Sequence, residues 1–193
     1  MRNSKLLFWG SFAGALVVVA LIVIALNVFQ ENRMAKLEKM FSNWVSVEGN
    51  IAPFEAKFPQ EPEYASQEIP IPDSEGVIQQ EIFVAGSEDM SFFVSPAVYP
   101  VALEGEEEAL LRQSLQGMVQ TFSQGEILSS KYAVSLSGSN YLEFEIRNIE
   151  DDTYVKGRLF ISSQALYQAY ATYGASSYND NEYTYFVNSL VIQ

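Results

Sequence analysis

The chain has 193 residues, with 24 acidic against 11 basic side chains and a formal net charge of −13. It contains no cysteine and no histidine. That excludes disulfides, thiolate nucleophiles, Ser-His-Asp triads and zinc sites built from Cys or His. An acidic chain is also a poor partner for nucleic acid, because phosphate contact draws on Lys and Arg. A general acid or base would have to be a shifted carboxylate, lysine or tyrosine.

Residues 1–5 read as a short cytoplasmic tail. Residues 6–29, LLFWGSFAGALVVVALIVIALNVF, carry no charge. At about 1.5 Å per residue they make a helix of roughly 36 Å, enough to cross a hydrocarbon core of about 30 Å with some tilt. The run exceeds the apolar region of a cleavable signal peptide, about 7–15 residues, and Ala25-Leu26-Asn27 is a weak imitation of a cleavage site. The expectation is therefore an uncleaved anchor whose partner is the lipid bilayer. Positive residues do not fix the orientation by themselves: Arg2 and Lys5 stand before the span, Arg33, Lys36 and Lys39 after it. The start-of-chain signal-anchor arrangement and the acidic remainder favour a cytoplasmic N-terminus and an extracytoplasmic C-terminal domain at the cell membrane. Inside the span, Gly10 and Gly14 form a G-x-x-x-G, a site for close contact between membrane helices and hence for a homodimer. Small residues are also ordinary in membrane helices.

Residues 30–50 read as a juxtamembrane helical stalk. Met34, Leu37, Phe41 and Trp44 recur at spacings of 3, 4 and 3, too short a stripe for a coiled coil. Gly49-Asn50 and Pro53 end it and begin an acidic domain over residues 51–193. Charge divides near this point. Residues 1–51 hold five basic and three acidic side chains, net +2, whereas residues 52–193 hold six basic and 21 acidic, net −15.

Within the domain the apolar pattern shifts to period two. Phe54 to Phe58 alternates until Pro59; Glu63 to Ile71, Val77 to Val84 and Met90 to Tyr99 follow as strands separated by Pro, Gly and Asp. In the second of these, Ile78, Ile82 and Val84 define the apolar face, with Gln79 and Glu81 opposite. A helix then opens on Glu106-Glu107-Glu108, where carboxylates complement the dipole. Leu111, Leu115, Met118 and Phe122 form its buried stripe and Gly125 its C-cap. Four strands come next: Glu126 to Leu136, Tyr141 to Ile149, Thr153 to Ser162 and Leu166 to Tyr173. Asn179-Asp180-Asn181-Glu182 resembles a capping box for a last helix with Tyr183, Phe186, Val187 and Leu190 on one side. The fold class is α+β, an antiparallel sheet flanked by helices.

Several short motifs carry a family resemblance. They are Phe54-Glu55-Ala56-Lys57-Phe58-Pro59, Ser137-Gly138, Tyr141 to Glu145, Gly157-Arg158-Leu159, Leu166-Tyr167 and Phe186-Val187-Asn188-Ser189-Leu190. In this order they resemble the PsbP-like fold of the extrinsic photosystem II protein and of many bacterial membrane-anchored domains. The resemblance spans roughly residues 53–192 and departs where Gln60-Glu61-Pro62 replaces an aromatic after the first Pro. It implies a binding or assembly module with no catalytic residues; the photosynthetic role does not carry over.

Three constellations could carry chemistry. Glu143 and Glu145 share a strand face and could serve as paired carboxylates, but Lys156 and Arg158 on the next strand offer cross-strand partners. The acidic runs Glu104 to Glu108 and Asn179 to Glu182 could supply oxygen ligands to calcium. Neither has the spacing of a calcium loop, and a helix start and a cap account for them. Tyr167, Tyr170, Tyr173 and Tyr178 belong to a tyrosine-rich stretch that could form a partner surface, since Tyr gives contact area at low entropic cost. The reading is a membrane-anchored, extracytoplasmic, non-catalytic binding or assembly module. It expects a protein partner in or at the membrane, no nucleic acid and no cofactor, metal or catalytic residue. A self-associating scaffold and a carboxylate-based hydrolase are the alternatives.

Overall fold

The computed structural model describes residues 31–72, 75–103, 107–134 and 139–193. The expected span over residues 6–29, with Gly10 and Gly14, lies outside the described residues. Among those residues no helix is long and apolar enough to cross a membrane. The chain divides into two compact units, Met1–Ser42 and Asn43–Gln193.

In the first unit residues 31–40 are helical (α1), with Leu37 of the stripe buried. The helix does not run on through the stalk expected over residues 30–50. Val45–Glu48 is a strand, β1, belonging to the second unit. Val45 and Val47 are β-branched and alternate with Ser46 and Glu48, which suits a pleated ribbon better than a helix. Trp44 then packs edge-on against Phe92 and Tyr185, with centroids 5.3 Å away in each case.

The second unit is α+β with two antiparallel sheets rather than one. The small sheet has order β1-β2-β10, with β2 at Phe54–Phe58 and β10 at Val191–Ile192. The large sheet holds seven strands: β3 (Glu63–Pro70), β4 (Val77–Gly86), β5 (Met90–Val98), β6 (Gly125–Val134), β7 (Asn140–Asn148), β8 (Thr153–Ser162) and β9 (Ala165–Gly174). Their spatial order is β3-β4-β5-β9-β8-β7-β6. The helix α2 (Glu107–Gln120) follows β5, and α3 (Asp180–Ser189) follows β9.

Alternation in β2 buries Phe54, Ala56 and Phe58. Each phenylalanine removed from water contributes about 1.5–3 kcal/mol. Phe54 meets Phe83 and Tyr167 edge-on, and Phe58 meets Phe186. One core therefore lies between the small sheet, α3 and one face of the large sheet. A second lies on the opposite face, where Leu111 and Leu115 of α2 cover Leu142, Phe144, Ile146 and Leu159.

Local signals explain the helix ends. Asn179 caps α3, its side chain accepting from the amides of Asn181 and Glu182. Glu182 bonds the side chain of Asn179 and accepts from Ser87 Oγ at 2.8 Å, so the box also ties α3 to the β4–β5 turn. Gly125, expected as the cap of α2, instead opens β6. The helix stops at Gln120, and a Cβ on Gly125 would come within 2.7 Å of the Val119 carbonyl oxygen, so the close return of the chain requires a glycine.

Candidate functional site

Helix α2 packs on β6, β7 and β8. The same sheet face continues across β9, β5, β4 and β3. Beside it, α2 and the strands β5, β8 and β9 enclose an open cleft of about 570 Å³ with Phe93, Met118, Phe122 and Tyr170 in its walls. Its polar groups are neutral: Ser114, Thr121, Gln168 and Thr172. A smaller recess of about 320 Å³ adjoins it at Leu103, Leu110 and Ile161, sharing Tyr99, Ser114 and Leu166.

Register builds the cleft floor. Tyr170 pairs with Phe93 on one side and with Gly157 on the other. Its ring stacks on Phe93 at 4.8 Å and 9°. A Cβ on Gly157 would lie 2.4 Å from both the Ala169 carbonyl oxygen and the Tyr170 Cβ, so only glycine fits there. On the α2 side, Gly117 has open space where a Cβ would stand, although a glycine inside a helix costs about 0.5–1 kcal/mol relative to alanine. Burial raises the Tyr99 and Tyr170 hydroxyls above the ordinary tyrosine value. Both stay neutral at physiological pH, and among the described residues no carboxylate or cation lines the cleft. It can receive an apolar group.

Beyond the cleft the apolar row runs outward. Phe93 is followed across the strands by Val84, then Ile82, Ile78 and Ile69, all half-buried or exposed. The row ends at β3, an edge strand exposed along all eight of its residues.

The four singled-out tyrosines do not share a surface. Tyr167 is buried against Phe54, its hydroxyl 3.4 Å from the Pro53 carbonyl, so it belongs to the core. Tyr173 is on the same face of β9 and is also buried, donating to Glu145 at 3.0 Å. Alternation sends Tyr170 to the opposite face, into the cleft. Tyr178 is half-buried beside Tyr173 and Tyr183, donating to Asp180 and accepting from Lys156 Nζ, both at 3.0 Å. Lys156 Nζ also lies 4.7 Å from the Tyr178 ring centroid and 5.0 Å from that of Tyr183. Tyr173, Tyr178 and Lys156 thus form a packed aromatic–cation cluster between β8, β9 and α3. Tyr170 and Tyr178 remain accessible, on opposite faces of the sheet.

Glu143 and Glu145 stand opposite Arg158 and Lys156 in the register, as expected. Glu145, Lys156 and Arg158 have other partners as well. Glu145 accepts from Tyr173, Lys156 turns to Tyr178, and Arg158 donates to Asn188 and lies 4.8 Å over the Tyr141 ring. Among the described residues no group of three or more acidic side chains is arranged to hold a metal ion. The run at residues 104–106 lies outside them.

Another carboxylate is engaged inside the fold. The alternation of β4 puts Glu81 opposite Ile78, Ile82 and Val84, and that side, with Phe83 and Ala85, is the buried one. Its carboxylate accepts from the Asn50 amide (3.0 Å), Asn50 Nδ2 (2.9 Å), the Ile51 amide (3.2 Å) and the Tyr64 hydroxyl (2.8 Å). Burial alone would raise its pKa. The hydrogen bonds from Asn50, Ile51 and Tyr64 outweigh burial and hold it below the ordinary value. Glu81 fastens the β1–β2 loop to the large sheet, a structural role rather than a reactive one.

No protein-family model matches this chain, and comparison with curated proteins returns no match.

Proposed function

We propose that the chain is a membrane-anchored, extracytoplasmic, non-catalytic binding or assembly module, with a domain of PsbP-like type. The anchor rests on the uncharged run of residues 6–29, and the family on the short motifs of residues 53–192. The binding role rests above all on one observation: a row of half-buried and exposed apolar side chains, Phe93, Val84, Ile82, Ile78 and Ile69, leads into a cleft that no carboxylate or amine among the described residues lines. Such a surface suits an apolar segment of a protein partner at the membrane.

The test is a photo-crosslinking amino acid placed at Ile82 or Gly117 of the full chain in its native membrane, with Gln116 on the exposed side of α2 as control. A discrete crosslinked species from Ile82 and Gly117, absent from Gln116, is the expected result. Absence of any species specific to those two positions would overturn the reading. Protease treatment of sealed cells tests the topology: digestion of residues 51–193 is expected, and full protection would overturn it.

A further inference from the structure

We propose that the free edge of β3 accepts an extended, positively charged segment of the partner as an added antiparallel strand. The inference rests on the binding-module reading and names the partner's chemistry. β3 pairs with β4 alone, in unbroken register from Glu63↔Val84 to Pro70↔Val77. The opposite edge, β6, has a register shift between Ile127 and Ser129, and β1 and β10 hold only four and two residues. Among the described residues β3 is thus the long regular edge with unpaired backbone groups, the template that strand addition requires.

Charge selects the occupant. No Lys or Arg occurs between Lys57 and Arg112, so β3, β4 and β5 carry no cation. Glu61, Glu63 and Glu68 are all exposed along or beside the edge. A second copy would bring the same carboxylates to the same line and be repelled, as like charges on paired strands are. A cationic strand meets the opposite situation. Its alternating apolar residues would extend the row of Ala65 and Ile69 that continues into Ile82 and Ile78. Its Lys or Arg residues would stand on the other face beside Glu68, with the Glu63 carboxylate adding negative charge at the end of the same edge. Tyr64, 52% exposed beside Glu68's face of the strand, offers a ring to an arginine.

The test uses the purified full chain and three short peptides read by fluorescence anisotropy: alternating Ile-Lys, alternating Ile-Glu, and Ile-Lys with every amide N-methylated. Hydrogen exchange locates the site. The Ile-Lys peptide is expected to bind and to slow exchange along β3. Charge reversal in Glu63→Lys/Glu68→Lys should weaken it about tenfold or more and confer binding of the Ile-Glu peptide. The N-methylated peptide should fail, because strand addition needs its amides. No binding of Ile-Lys, equal binding of the N-methylated form, or protection away from β3 would each overturn the proposal. Crosslinks at Ile82 that persist unchanged in the charge-reversed chain would leave the binding module standing and remove the edge as its docking site.

Discussion

Tyr170 lies flat against Phe93 across the β9–β5 pair, with centroids 4.8 Å apart, and the two rings together floor the cleft. Aromatic pairs contribute about 0.5–1.5 kcal/mol beyond the area they bury. A double-mutant cycle with Phe93→Ala and Tyr170→Ala, read by chemical denaturation, should therefore return a coupling of that size. Strict additivity would mean that the rings act as separate surfaces.

Gly157 makes that arrangement sterically feasible. Gly157→Ala forces a methyl group against the Ala169 carbonyl and the base of Tyr170. Overpacking of this kind costs about 1–3 kcal/mol, and a thermal melt should show the loss. Gly117→Ala is the contrasting change. Open space surrounds that position, so the helix should gain about 0.5–1 kcal/mol. An unchanged melt for Gly157→Ala would contradict the close approach.

Glu81 gives the domain an acid limb. Its folded-state pKa is depressed below the ordinary 4.5. The stability it adds is complete above the unfolded value and is lost as pH falls through the folded one. Glu81→Gln should cost about 1–3 kcal/mol near neutrality, since buried partners lose a charged acceptor. It should also flatten the decline in stability below pH 4.5. Equal acid sensitivity in variant and parent would refute the assignment.

The tyrosine cluster acts at the other extreme. Burial, followed for Tyr173 by the Glu145 hydrogen bond and for Tyr178 by that to Asp180, raises both hydroxyls above the ordinary 10.0; burial and then Glu143 raise Tyr183. A raised folded-state value means the contribution is complete below the unfolded pKa and fades as pH climbs past it. Stability should fall above pH 10, with phenolate absorbance appearing together with unfolding. Beside the cluster, the Tyr183 hydroxyl is buried and has no hydrogen-bond partner among the described residues. Tyr183→Phe should thus stabilise the domain by about 1 kcal/mol, because it removes a desolvated, unpaired group. A clear loss in the melt would point to a hidden partner.

Most strands of the large sheet could be read from period two and from the turns that bound them, and α2 and α3 from their stripes and first-turn acids. The failures have physical causes. Val45–Glu48 sits at the end of a short stripe whose Trp44 satisfies helical spacing while packing on a sheet core. β10, two residues long, has no period to detect. In β4 both faces carry apolar residues, so Ile78, Ile82 and Val84 passed for the inner side. The inner side is set instead by Phe83, Ala85 and a glutamate whose partners, Asn50 and Ile51, lie some thirty positions away. The tyrosines were visible as a group, but their division between core, cleft and cluster depends on register.

The small sheet has a mechanical consequence. β1 enters with Val45 opposite Phe58, and β10 leaves with Ile192 opposite Phe54, so both flank β2 in the same direction. Traction applied between the two termini of this domain would pull along the strands and not across them. The hydrogen bonds of the β1 ladder would then be loaded side by side in shear instead of opening one after another like a zip.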